Sequence, residues 1–158
     1  MAVDMFLEID GIQGESSIKQ NAIDIESWSF GMAQTGTSHV ATGAGAGKVS
    51  VQDIHIQKQA DKVSPTLMLK CCLGEHIKKG KITCRKAGGK PLDYYVVEME
   101  DILISSVQVV GSNGSDLVNE SISINIGSFK VVYTPQKADG SGGAPVEVAW
   151  DVAKNKKK

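Results

Sequence analysis

Aromatic side chains are scarce: three Phe, two Trp and three Tyr in 158 residues. Surfaces that stack on sugars or bases need such rings, so few are available to build one. Arginine is scarcer still, with Arg85 alone, and 17 basic residues against 18 acidic ones leave a formal charge of −1. Nucleic-acid surfaces need clustered Lys and Arg, so no nucleic-acid partner is expected. No apolar run approaches the roughly 18 residues that a membrane span requires, so no membrane insertion is expected either. The opening residues, Met1-Ala2-Val3-Asp4-Met5, lack a positive leader region and soon reach Glu8 and Asp10. The expectation is synthesis in the cytoplasm and, if the protein leaves, export without a cleaved signal peptide. Three cysteines, Cys71, Cys72 and Cys84, are an odd number with two adjacent. They do not make a disulfide scaffold.

What is abundant is β-branched. Val and Ile number thirty against seven Leu, and such side chains pack well on a pleated surface. Alternation marks strands at Met5-Leu7-Ile9, Ile23-Ile25, Ile122-Ile124-Ile126 and Val146-Val148-Trp150-Val152, the last expected to be half-buried. Val49 and Val51 share one parity and Ile54 and Ile56 the other, which predicts a bulge near Gln52-Asp53. Leu92 to Val110 is too long for one flat strand and predicts a break near Asp101 or Ser105-Ser106. Asn113-Gly114 signals a hairpin, and Gly127 a bend. Ser64-Pro65 reads as an N-cap with proline in the first helical turn. Leu69, Leu73 and Ile77 follow at i, i+4 and i+8, so one helix is expected over Pro65 to Lys79, closed by Gly80. The fold class is therefore all-β with one helix: a closed barrel or sandwich of about 8–10 strands. A single domain over residues 1–153 is expected, with a basic, frayed tail at 154–158.

Motifs for catalysis or cofactors are weak. Thr42 to Val49 mimics a phosphate loop, but Thr42 stands where glycine is needed and Val49 where Ser or Thr is needed. Cys72, His76 and Cys84 could contribute zinc ligands, yet a fourth ligand is missing, so no metal and no cofactor are expected. Glu98 and Glu100 share a strand face, about 7 Å apart by strand geometry, and could in principle form an acid–base pair. A solvated or channel-facing row is favoured, because Ile102-Leu103-Ile104 follows rather than an aromatic cleft. No nucleophile motif is present. No enzyme is expected.

The unusual stretch is residues 31–48, a long run of small neutral residues with no charge before Lys48. Such a loop is functional or a disordered tether. Small side chains lose little entropy on ordering and allow close backbone approach. Gly31, Gln34, Thr35, Gly36, Thr37, Ser38, His39, Val40, Gly43, Gly45 and Gly47 are therefore candidates for contact with a neighbouring subunit, which the resemblance described next would place between protomers or rings.

Five ordered segments resemble Hcp, the haemolysin-coregulated tube protein of bacterial type VI secretion systems. They are Phe6 to Ser16, Ile25 to Gly31, Val63-Ser64-Pro65-Thr66-Leu67, Tyr95 to Ser106, and Phe129 to Gln136. The resemblance spans about residues 4 to 152. It implies hexameric rings that stack into a tube within a contractile sheath, capped by a VgrG-type spike and expelled into a target cell. It also implies effector chaperoning in the lumen, with the helix toward the outside. The alternative from another class is a monomeric lectin-like β-sandwich in which the 31–48 loop closes over a ligand.

Overall fold

A computed structural model describes residues 2–34 and 47–158. Strand β1 (Val3–Ile9) pairs with β2 (Ile23–Asp24) on one side and with β7 (Ile77–Lys86) on the other. The sheet then runs through β8 (Leu92–Gly111), β9 (Val118–Tyr133) and β10 (Val146–Asp151) to β11 (Lys156–Lys157). Strand β6 (Ile54–Gln59) pairs with β9 and with β3 (Ser27–Ser29), while β4 (Met32–Ala33) and β5 (Ser50–Val51) form a separate ribbon. The architecture is mostly β with a single helix among the described residues, as expected. The sheet does not close into a barrel: its path ends at β2 and β11.

The long hairpin β8–β9 belongs to two sheets. Its first part, Tyr95 to Glu100 against Ser128 to Tyr133, lies between β7 and β10; its second part, Ile104 to Gly111 against Val118 to Ile124, lies beside β6. The crossing is made at Asp101 and Gly127. Asp101 takes a left-handed φ of 52°, and Met99 and Ile102, three residues apart, are both buried. Ile126 and Phe129 do the same on the partner strand, so both strands switch inward parity while Glu100–Ser128 and Ile102–Ile126 keep register. A Cβ on Gly127 would lie 2.9 Å from the Asp101 Cβ, so the position needs glycine. A shift in register falls between Ile104 and Ser106. Both break points expected from the sequence are present. At Gln52-Asp53 there is a break between β5 and β6 rather than a bulge within one strand.

The core lies where the inward faces of the two sheets meet: Leu7, Ile23, Ile54, Ile82, Val97, Ile104 and Ile124 are fully or nearly fully buried. Helix α1 (Ser64–Leu73) adds Leu67 to it. The helix is shorter than expected. Gly74 adopts φ 61° and its N–H bonds Cys71 O, which caps the helix; Ile77 already belongs to β7, and Gly80 sits inside that strand opposite Met99. The supposed buried stripe also faces out, with Leu69 56% and Leu73 63% exposed. On β10, Val146 and Val148 are likewise exposed rather than half-buried. The 154–158 tail, expected to fray, turns back: Lys156 pairs with Asp151 and Lys157 with Trp150.

One ion pair ties β7 to β8 beside the bulge at Arg85. Arg85 Nε donates to Asp93 Oδ1 at 2.6 Å and Nη2 to Oδ2 at 3.3 Å. The hydrogen bond from the guanidinium holds the Asp93 carboxyl below the ordinary carboxylate range. A depressed pKa stabilises the fold above the unfolded value and loses that contribution as pH falls through the folded one. Asp93→Asn should therefore cost under about 1 kcal/mol near neutral pH, because the pair is partly exposed. The cost should vanish at acid pH, once the folded carboxyl is protonated as well as the unfolded one. Urea unfolding of both proteins at the two pH values measures it; an equal difference at both would assign the effect to packing instead.

Candidate assembly surfaces

The candidate loop residues divide by position. Thr35, Gly36, Thr37, Ser38, His39, Val40, Gly43 and Gly45 lie outside the described residues. Gly31, Gln34 and Gly47 lie at the stems: Gly31 O accepts the Gln52 N–H at 2.9 Å, and β4 pairs with β5 through Met32–Val51 and Ala33–Ser50. Gln34 is exposed, and Gly47 is half-buried.

Beside these stems is a four-stranded antiparallel sheet, in order β3, β6, β9 and the second part of β8. Ser27, Gln57, Ser121 and Gln108 stand in one row, and Ser29, His55, Ser123 and Ser106 in the next. Directly paired residues project to the same side of a sheet, so both rows share one face, opposite the core residues Ile54, Ile56, Ile122 and Ile124. Neither row contains a charged residue. Neighbouring groups satisfy one another: Ser121 Oγ donates to Gln57 Oε1 at 2.8 Å, and His55 Nδ1 lies 2.8 Å from Ser123 Oγ. Asp53 closes one end, accepting from Ser105 Oγ at 2.7 Å and Asn125 Nδ2 at 2.9 Å. His55 thus points to the polar face, as its flanking isoleucines require.

Both edges of this sheet are open among the described residues. Strand β3 pairs only with β6, and the last pairing of β7 with β8 is Ile77–Ile102, so β8 beyond it has only β9 beside it. Strand β9 is interior, between β6 and β8, so only the second part of β8 and β3 are edges of this sheet.

The other large face is charged. Glu8, Lys81, Glu98 and Lys130 pair in one row across β1, β7, β8 and β9, and Lys79 and Glu100 pair in the next. Lys158 Nζ donates to Glu100 Oε2 at 2.8 Å, which holds that carboxyl below its ordinary range. Glu98 and Glu100 are thus an exposed part of an alternating ladder with lysines. A general acid needs the opposite, a raised pKa. The cysteine–histidine trio is not assembled: Cys72 and His76 are exposed, whereas Cys84 is buried and accepts the Trp28 Nε1–H at 3.2 Å. Burial pushes the Cys84 thiol pKa up. Among the described residues, no group of three or more His, Cys, Asp or Glu could hold a metal, and no helix is long and apolar enough to cross a membrane.

Sequence reasoning passed over the buried charges that brace this sheet. Lys58 is 1% and Glu120 2% exposed. Lys58 Nζ donates to Glu120 Oε1 at 2.7 Å, Asp61 Oδ1 at 3.0 Å and Gln59 O at 2.9 Å. Ser64 Oγ donates to Glu120 Oε1 at 2.7 Å. Ser64 is therefore the first residue of the helix rather than its cap, and its hydroxyl faces inward. The signal was legible: Lys58 shares the parity of Ile54 and Ile56, and Glu120 that of Ile122 and Ile124.

Residues 6–133 match the family described as "Type VI secretion system effector, Hcp". The chain belongs to the Hcp family. It is 44% identical over 159 residues to protein Hcp1 of Pseudomonas aeruginosa, covering 98% of each chain. Among solved structures, Hcp1 from Salmonella typhimurium is 29% identical with a TM-score of 0.79, covering all of both chains. A type VI secretion system effector from Yersinia pestis is 32% identical with a TM-score of 0.76, over 94% of this chain and all of that one. A further type six secretion system protein shares the fold at a TM-score of 0.92 and 23% identity, over 99% of this chain and all of the other. This Hcp chain is thus a β-rich protein of type VI secretion.

Proposed function

We propose that this Hcp protein is a non-enzymatic tube subunit. Six copies close into a ring, and rings stack into a tube that is expelled by a contractile sheath with a VgrG-type spike. The observation that carries the reading is the four-stranded sheet with two open edges. In the order β3, β6, β9, β8 every neighbour is antiparallel, so β3 and β8 run in opposite directions. A copy brought alongside by rotation about an axis along the strands presents its β3 antiparallel to this β8. Alternation then continues around the ring, and closure leaves neither edge of this sheet exposed.

The uncharged rows of Ser, Gln and His suit the bore. Their hydroxyls and amides stay wet and offer hydrogen bonds to effector cargo without a fixed field that would select for charge. Gly31, Gln34 and Gly47 are proposed contacts to neighbouring protomers or rings. No cofactor is needed for any of these roles.

Light scattering on the size-exclusion peak should give about 100 kDa for six copies of the 16.8 kDa chain, and electron micrographs should show annuli. Amides of residues 27–29 and 103–110 should exchange with solvent far more slowly in the ring than in dilute monomer. A monomer at micromolar concentration would favour the lectin-like alternative and refute the ring.

A further inference from the structure

Beyond ring closure, two apolar patches stay exposed among the described residues, at opposite ends of the β8–β9 hairpin. The first is the hairpin tip. Val109, Val110, Leu117 and Val118 are all exposed. The pairing of β6 with β9 ends at Gln59–Asn119, so the tip extends past β6. The second is a groove of about 400 Å³ at the other end, lined by Phe30, Met32, Val51, Tyr95, Val131 and Trp150, with Val148 on its exposed side. From Tyr95 to Val110, β8 covers up to about 50 Å of strand. No single chain can bring its own tip to its own groove.

Charge follows the same polarity. Between Val107 and Asn119 the one formal charge is Asp116. At the groove end of β8 stand Lys86, Lys90 and Lys137 against Asp139, around the two loops that flank Leu92. The narrow tip is apolar with one carboxylate; the end of the hairpin that holds the groove carries more lysine than acid, beside the Arg85–Asp93 pair.

We infer that the tip of one protomer seats in the groove of a protomer in the next ring, so that these patches make the stacking contact. This rests on the ring reading above. The open edges used for closure lie at the sides of the four-stranded sheet, whereas tip and groove lie at its ends, so the two contacts do not compete. Two different patches on each copy generate an open, polar assembly rather than a closed pair. Four aliphatic side chains make a small contact, weak for a single pair. Repeated around a ring it acts by multivalency, which permits a long tube that still comes apart once rings separate.

The test uses the full-length chain carrying Cys72→Ser, to remove an exposed thiol. Val118→Cys with Val148→Cys should, on oxidation of concentrated protein, link chains of successive rings and give tubes that survive dilution. Val118→Glu should keep the ring mass by light scattering and reduce the tube fraction that sediments at least tenfold. Adding Val148→Lys to it should restore most of that loss. All these positions are exposed, and an unchanged Tm checks folding. The inference is overturned if the cysteines fail to link or link only within single rings, or if Val118→Glu sediments like the parent. It is equally overturned if that variant loses the ring itself while still folded, or if the charge pair restores nothing. A parent protein that is monomeric throughout would instead defeat the ring reading.

Discussion

Lys58→Met should lower the unfolding free energy by about 3–5 kcal/mol, the cost of removing one partner from a buried ion pair. The ammonium it removes is fully enclosed and donates to Glu120, Asp61 and a backbone carbonyl. Methionine fills a similar volume, so the loss is electrostatic rather than a cavity. Glu120 keeps the Ser64 hydroxyl and nothing that neutralises it. The Tm should fall by about 10 °C at a fixed protein concentration. Lys58→Met combined with Glu120→Leu should recover more than half of the loss, since an apolar pair needs no compensation there. Urea unfolding of the three proteins decides the matter. A single-variant cost under about 1 kcal/mol would mean that water reaches Glu120.

Gly14→Ala should be the most damaging single methyl group added at any described glycine. Gly14 follows β1, in the segment that folds back to lay β2 against that strand, and its N–H bonds Asn21 O at 2.9 Å. A Cβ there would be driven into the backbone carbonyl of Ala22, with Ile23 N only 2.8 Å away. This peptide unit cannot rotate aside as a side chain could. Overpacking of this kind costs typically 1–3 kcal/mol and occasionally more, and Gly14→Ala should reach about 3 kcal/mol. Gly11→Ala makes a useful contrast: it meets nothing within 4 Å, though its φ of 79° carries its own strain. Thermal unfolding of both should rank Gly14→Ala as the worse; the reverse order would mean that the β1–β2 connection shifts freely.

How much could be read beforehand depends on whether the cause was local. The breaks in β8 were legible because twenty residues of strand must bend somewhere, and Asp101 and Ser106 interrupt the inward apolar series. The helix start was legible at Ser64-Pro65. Its end comes earlier than the expected cap at Gly80 because Gly74, the first glycine able to take positive φ, ends the helix. Periodicity also misled: Leu69 and Leu73 repeat at helical spacing but face outward, and Val146 and Val148 alternate as a buried strand would yet lie open. An apolar stripe records that something is to be covered, not that the same chain covers it. The buried Lys58–Glu120 pair needed only attention to parity. The two open edges did not announce themselves at all, because which strand lacks a neighbour is a property of the whole topology.

One consequence of the shared β8–β9 hairpin is mechanical. Where two sheets meet only through packed side chains, shear lets one slide over the other against weak dispersion contacts. Here the same two strands run through both layers, turning at Asp101 and Gly127. Displacing one layer must therefore strain covalent backbone or strip a ladder of paired amides. Thrust applied at one end of the molecule is carried to the other along continuous main chain, as along a beam bent once and not jointed.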